Sequence, residues 1–332
     1  MSDKTGIAWT DATWNPVRGC SRVSEGCRNC YAERVAVRFS GPGQPYEGFA
    51  DVPEGKRHSQ TGAATTGVRG NWTGKVALVE KQLPIAMRWK KPRKIFVNSM
   101  SDLFHESLSF ETIDKVFAVM TMAPQHTFQV LTKRPKIMQD YMIELLAGKR
   151  QVASRAREMA GSIVGGLIAL GAMREGERLV PPTNVWLGVS VEDQKTADER
   201  IPILLRTPAW KRFVSYEPAL GRVDFSPWVC SDVAGVGCGS AVVSNRLDWI
   251  IVGGESGQGA RPFNVDWART TVEQCREAKV ACFVKQFGPR PFDHPRRAGL
   301  SIKDPGHMRL RSSKGDDPSE WPPEFRVQEF PR

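Results

Sequence analysis

Three cysteines stand within eleven residues of one another: Cys20, Cys27 and Cys30, in the run GCSRVSEGCRNCY (19–31). Their pattern is C-x6-C-x2-C. A thiolate is a soft ligand, and several close together most often hold zinc or an iron–sulfur cluster. The C-x2-C pair lets two sulfurs converge from one turn, and the third arrives from the loop before it. Gly19 and Gly26 each precede a cysteine, where a permissive backbone can wrap a cluster.

The number of ligands separates the metals. A structural zinc site is nearly always closed by four protein ligands. The next histidine, His58, is 28 residues past Cys30 in a Gly/Thr-rich loop, and no fourth cysteine is near. Three cysteines hold three irons of a 4Fe–4S cluster and leave the fourth iron open. An open iron is what S-adenosylmethionine needs to chelate a cluster and be cleaved reductively to a 5′-deoxyadenosyl radical. The alternatives are zinc with a distant fourth ligand, and plain buried or reactive thiols.

The elements that must position this loop follow from the apolar patterning. WTDATWNPVR (9–18) has the aromatic and β-branched content of a short strand running into the cysteine loop. YAERVAVRF (31–39) reads as a helix, with Tyr31, Val35 and Arg38 or Phe39 at helical spacing. A repeated grammar then appears, in which a short apolar run ends in polar residues and a helix follows. The strands are KIFVNSMSD (94–102), TFQVLTKRP (127–135), NVWLGVSVED (184–193), RFVSYEPALG (212–221), DWIIVGGESG (248–257) and ACFVKQFG (281–288). Ser109 is placed to cap one helix, and Pro135 opens another. Further helices are predicted over 194–205 and 264–278.

Strands alternating with helices predict a parallel sheet, and right-handed crossovers close it into a partial or complete (β/α) barrel. The fold class is α/β. One barrel domain is expected over residues 1–290, with loop and helical insertions at about 40–93, 148–182 and 222–246. A Pro-rich basic tail follows over 291–332. Cys230 and Cys238 fall in the third insertion, as loop thiols or a second metal site; Cys275 and Cys282 read as core residues.

In barrels of this kind the site lies at the carboxyl ends of the strands. That rule selects Asn98, Ser99, Asp102, Glu217, Gly253, Gly254 and Glu255 for cofactor binding. It selects Thr132, Lys133, Arg134, Ser190, Glu192, Lys285 and Gln286 for an anionic substrate. The paired glycines of GGESG let backbone approach a ligand or cradle a phosphate, and Glu255 can accept from an ammonium. No catalytic residue is assigned.

The formal charge is +11, which favours polyanions and makes DNA, RNA or a nucleotide the candidate substrate class. No run of 18 apolar residues exists, so no membrane span is expected. The polar start MSDKTGIAWTD lacks a signal-peptide apolar region, and seven cysteines, an odd number, argue against a disulfide framework. A cytoplasmic setting is the expectation.

Taken together, TGIAWTDATWNPVRGC, GCRNCYAER, FVNSMSDLFHE, VLTKRP, WLGVSVE, SYEPALG, IVGGESG…ARP and VKQFG resemble the phage- and prophage-associated three-cysteine family of radical-enzyme-like proteins. The similarity covers about residues 5–290 and part of the tail. It implies a partial barrel of the radical S-adenosylmethionine type, a 4Fe–4S cluster on Cys20, Cys27 and Cys30, S-adenosylmethionine as cofactor and an external electron donor. A Gly-Gly-Glu turn in such enzymes contacts the methionine amino group, although it usually ends the second strand, not the penultimate one as here. The phage association and the charge point to nucleic-acid or nucleotide modification or repair. Two other readings stay open: a zinc-stapled nucleic-acid-binding protein without catalysis, and an iron–sulfur structural or sensor protein.

Overall fold

The computed structural model describes residues 5–56, 68, 70–161, 174–175, 178–229, 246–293 and 306–332. Seven strands form one curled parallel sheet, a half-barrel, in which the spatial order follows the chain. They are β1 (Ala12–Trp14), β2 (Lys94–Val97), β3 (Thr127–Thr132), β4 (Val185–Val191), β5 (Lys211–Tyr216), β6 (Trp249–Gly253) and β7 (Ala281–Gln286). The apolar runs are buried along their length: Ile95–Val97 in β2 and all of β6. Helices that cover a parallel sheet leave no strand face to water, so the runs are continuous, not alternating.

The longer helices are α1 (Tyr31–Arg38), α2 (Phe110–Met122), α3 (Pro135–Leu146), α4 (Val152–Ala160), α5 (Gln194–Arg206) and α6 (Val265–Ala278). Their starts follow local chemistry. The Ser109 hydroxyl accepts from Thr112 N at the head of α2, Pro135 opens α3, and Asn264 accepts from Asp266 N at the head of α6.

The chain falls into two compact units: Met1–Ser24, Cys30–Leu187 and Thr207–Lys211 in the first, and Glu25–Asn29, Gly188–Arg206 and Arg212–Arg332 in the second. In the first, β2 pairs with β1 through Ala12↔Ile95 and Trp14↔Val97, and with β3 through Lys94↔Thr127 and Val97↔Val130. Trp14 packs on Phe128, and Tyr141 sits among Phe104, Phe110 and Phe117. Fully buried Asp114 on α2 accepts from Tyr141 Oη on α3 at 3.0 Å and from Gln151 N, just before α4, at 3.1 Å. The described part of the 40–93 insertion is packed structure: Tyr46 and Ala50 join Ala36 and Val37 of α1 in one apolar cluster, with Trp72 against it. The 148–182 insertion contains α4, followed by the pair Arg174–Glu175 and Arg178–Leu179.

In the second unit β6 pairs with β5 through Phe213↔Trp249 and with β7 through Trp249↔Ala281. A register shift between Val252 and Gly253 sets Gly253 opposite Gln286. Such a bulge re-aims the strand end where it occurs. Residues 306–332 pack as part of this unit. Val284 N donates to Val327 O at 2.8 Å and Glu329 N to Cys282 O at 2.9 Å, so the segment runs antiparallel along β7. Trp321 stacks on Phe287 at 4.8 Å, and Phe325 is fully buried beside it. Cys275 and Cys282 are core residues, 0% and 2% exposed. Cys230, Cys238 and His58 lie outside the described residues.

Candidate functional site

In the first unit, β1 and β2 run side by side, so their carboxyl ends bring Asn15–Gly19 against Asn98–Ser101. Asn98 adopts a left-handed backbone, φ 57°. Its N–H donates to Trp14 O at 2.8 Å and its Oδ1 accepts from Val17 N at 3.2 Å. Asn98 is 2% exposed, and its Nδ2 has no hydrogen-bond partner. A left-handed asparagine with an unmet buried donor is an expensive combination, and such strain concentrates at functional positions. Asn15 Oδ1 accepts from Ser99 Oγ and Met100 N, and Ser101 Oγ donates to Val17 O. Tyr31 Oη, next to Cys30, donates to Ser99 O.

The ends of β2 and β3 meet at Asp102 and Arg134. Asp102 Oδ1 accepts from Thr132 Oγ1 at 2.7 Å and Phe104 N at 3.0 Å; its Oδ2 accepts from Lys133 N and Arg134 Nη1, each at 3.1 Å. Arg134 also donates through Nε to Glu106 Oε2 and through Nη2 to Ser21 Oγ at 2.6 Å. Burial opposes the Arg134 charge, yet the Glu106 hydrogen bond and the negative charges of Asp102 and Cys20 raise its pKa above the ordinary value. The hydrogen bond from Arg134 in turn holds the Glu106 carboxyl down to about 2. His105, 1% exposed, accepts from Ser107 N at Nδ1, which leaves its proton on Nε2 facing Ser21 Oγ at 2.9 Å. Burial, then the Arg134 charge, lowers its pKa. Arg134 therefore holds the Cys20–Ser21 segment to two strand ends.

In the second unit, the segment between Glu25 and Asn29 has its own anchors. Asn29 Nδ2 donates to Glu255 Oε2 at 2.9 Å and to Gly259 O at 3.0 Å. Arg261 makes a fork onto Glu255, Nε at 3.0 Å and Nη2 at 2.6 Å, while its Nη2 also reaches Glu25 O at 3.1 Å. Burial would raise the Glu255 carboxyl, but the hydrogen bonds from Arg261 and Asn29 hold it below its usual range. Gly26 lies against the Glu192 carboxylate, where an added Cβ would come within 2.3 Å of Oε1. Glu192 is itself held by Arg200 at 3.1 Å, which also donates to Ser190 O at 2.7 Å.

A separate pair stands at the ends of β5 and β7. Lys285 Nζ donates to both oxygens of Glu217 at 2.6 and 2.7 Å, and Gln286 Nε2 bridges Glu217 Oε1 and Gly254 O. Both charged groups are about one-sixth exposed (17% and 16%). Gly254 owes its residue type to packing, because a Cβ there would stand 2.4 Å from Phe287 O.

Asn98, Ser99, Asp102, Thr132, Lys133 and Arg134 thus come together in the first unit with Cys20 and Cys30. Ser190, Glu192, Glu217, Gly253, Gly254, Glu255, Lys285 and Gln286 stand in the second, which also holds Cys27. Sequence reasoning did not single out Ser21, Asn29, His105, Glu106 or Arg261. Their signal was position: Ser21, Asn29, His105 and Glu106 stand in the same runs, GCSR, CRNC and DLFHE, as the residues it chose, and Arg261 stands in the ARP that follows GGESG. Cys20, Cys27 and Cys30 are each half-buried, and among the described residues no three His, Cys, Asp or Glu side chains are gathered closely enough to hold a metal ion.

The family described as "Protein of unknown function (DUF5131)" matches residues 4–308. The chain belongs to that family. Searches of curated proteins and of solved structures return no match. Chemically, this member's arrangement offers a thiol loop in which Ser21, next to the first cysteine, is held by the fixed cation of Arg134. The thiolate is the form of cysteine that ligates metals. Among the described residues no helix is long and apolar enough to cross a membrane.

Proposed function

We propose that this chain is a radical S-adenosylmethionine enzyme of the cytoplasm, whose Cys20, Cys27 and Cys30 hold a 4Fe–4S cluster and which acts on a nucleic-acid or nucleotide substrate. The observation that carries the reading is the fastening of the three-cysteine loop: Arg134 grips Ser21 and Asn29 grips Glu255. A loop that only connected a strand to a helix would need no such buried charges, which are costly to desolvate. Two features fit a bound group. The donor set is soft and falls one short of closing a zinc site, and the buried Asn98 Nδ2 is a donor awaiting an acceptor.

When bound, the cluster supplies the electron that cleaves S-adenosylmethionine reductively, the electron itself coming from an external donor. The chain's own residues position and bind. Arg134 and Glu255 fix the loop from either end, and Asn98 offers its amide hydrogen to the cofactor. Lys285, with Glu217 as its counter-charge, presents an ammonium to an anionic substrate. One of its three donors is left over after Glu217 is satisfied.

The test is anaerobic reconstitution with iron and sulfide, followed by electron paramagnetic resonance of the reduced protein with and without S-adenosylmethionine. The reading expects a 4Fe–4S signal that shifts on adding the cofactor, and its loss in Cys27→Ala. A signal indifferent to the cofactor leaves a structural or sensor cluster. A colourless protein with stoichiometric zinc makes the chain a zinc-stapled binder.

A further inference from the structure

Helix α1, which begins at the residue after Cys30, turns its apolar stripe outward. Tyr31, Val35 and Phe39 recur every four residues and are 45%, 38% and 40% exposed. Ala32, Glu33, Ala36 and Val37 face inward instead. At 100° per residue, Arg34, Arg38, Tyr31, Val35 and Phe39 form one continuous strip, and the buried four form the opposite side. Six large apolar side chains are exposed among the described residues, and three of them lie on this strip. Single exposed apolar residues need no explanation, but a concentration of them marks a binding surface.

The charge of the strip selects the partner. The helix has one acidic residue, Glu33, which is 3% exposed and neutralised by Arg22 at its inner side. Its outer face therefore carries only positive charge. Arg38 lies over the Phe39 ring with its guanidinium carbon 5.5 Å from the centroid. Open aromatic rings beside arginine planes are the surface on which unpaired bases stack, whereas the stacked bases of a duplex cannot reach them. From Tyr31 to Phe39 the strip is about 12 Å long, enough for about two bases.

We propose that the outer face of α1 is a docking strip for single-stranded nucleic acid, with Phe39 and Tyr31 as stacking platforms and Arg38 as the phosphate or base-plane contact. The inference deepens the proposed function and rests on it for its purpose, since it names the polymer brought beside the cysteine loop. Binding is measured without a cluster, so its failure and that of the cluster assignment are separate results.

The experiment is fluorescence anisotropy of the full chain with a labelled oligothymidylate and with a labelled duplex, at about 50 and 200 mM salt. The strip predicts tighter binding to the single strand than to the duplex. Phe39→Ala weakens single-strand binding about 5- to 100-fold. Arg38→Gln reduces the slope of log K against log salt by about 0.7. Trp210→Ala, at an exposed aromatic outside α1, leaves binding unchanged. Because Phe39 and Arg38 are exposed, these variants keep the fold, which circular dichroism checks. Absence of single-strand binding at the lower salt overturns the proposal. So does wild-type affinity in both Phe39→Ala and Arg38→Gln, or equal affinity for the duplex. A concentration-dependent dimer in sedimentation that Val35→Asp abolishes, with nucleic-acid binding unchanged, overturns it in favour of a protein interface.

Discussion

Asn29 donates its side-chain amide to Glu255 at 2.9 Å, across 226 residues of sequence. The asparagine stands between Cys27 and Cys30, and the glutamate follows the double glycine at the end of β6. A residue expected to recognise a cofactor amine is thus engaged with the cysteine loop itself, and Arg261 saturates what Asn29 leaves.

Arg261→Ala removes both guanidinium contacts from a carboxylate that is 6% exposed. Breaking one partner of a buried pair costs about 3–5 kcal/mol, and because Arg261 itself is 24% exposed the expected loss is near the lower end. Urea denaturation measures it, and hydrogen exchange should rise over residues 25–30. Arg28→Ala removes only a surface contact to Glu25 and should change stability by less than about 0.5 kcal/mol.

The Glu106 carboxyl gives an acid-side signature. Its folded pKa is about 2, against 4.5 for an unperturbed glutamate, because Arg134 hydrogen-bonds the charged form. A depressed carboxylate contributes stability that is complete above pH 4.5 and is lost as pH falls towards about 2. Glu106→Gln should therefore be less stable than wild type at neutral pH, with the gap closing over that window. Denaturant midpoints measured from pH 7 to 3 test this, and a gap that stays constant refutes it.

Gly19 is the backbone position on which the approach to Cys20 depends. Its φ is +86°, and an added Cβ would stand 1.9 Å from Lys75 O. Gly19→Ala should destabilise by several kcal/mol or prevent folding, since backbone on both sides must move. Gly43 has φ +71° but open space around it, so Gly43→Ala should cost only about 1 kcal/mol. Soluble yield and thermal midpoint compare the two.

Strand positions were readable because buried parallel strands are unbroken apolar runs, as in KIFV and WIIV, and helix positions because caps such as Ser109 stand where the period begins. Polar groups at strand ends were readable as strand ends for the same reason. What each polar group holds was not. Whether Arg134 meets a substrate or Asp102, Glu106 and Ser21 depends on which strand ends become neighbours, and local spacing carries no information on that. The period of α1 announced a helix without saying which side faces in, because alanines pack inward as readily as larger residues. The tail hid its packing for another reason. Trp321 and Phe325 stand four apart, but Pro322 and Pro323 between them break a helix, and Phe330 follows five residues later on neither period.

Trp321→Ala tests that tail. The ring is 1% exposed, stacked on Phe287, and its Nε1 donates to Gly315 O at 3.1 Å. Truncating a buried tryptophan costs about 3–5 kcal/mol. A thermal midpoint unchanged in Trp321→Ala would mean that the segment is a detachable appendage.

The pairing of Val327 and Glu329 with β7 also orders events during synthesis. The ribosome releases β7 well before its outer neighbour, so for that interval the strand presents a naked row of amides and carbonyls. An exposed β edge is a template for any other extended chain. Until Val327 and Glu329 dock, copies are therefore at greatest risk of sticking together through β7, and a chain truncated before Val327 should lose soluble yield through association.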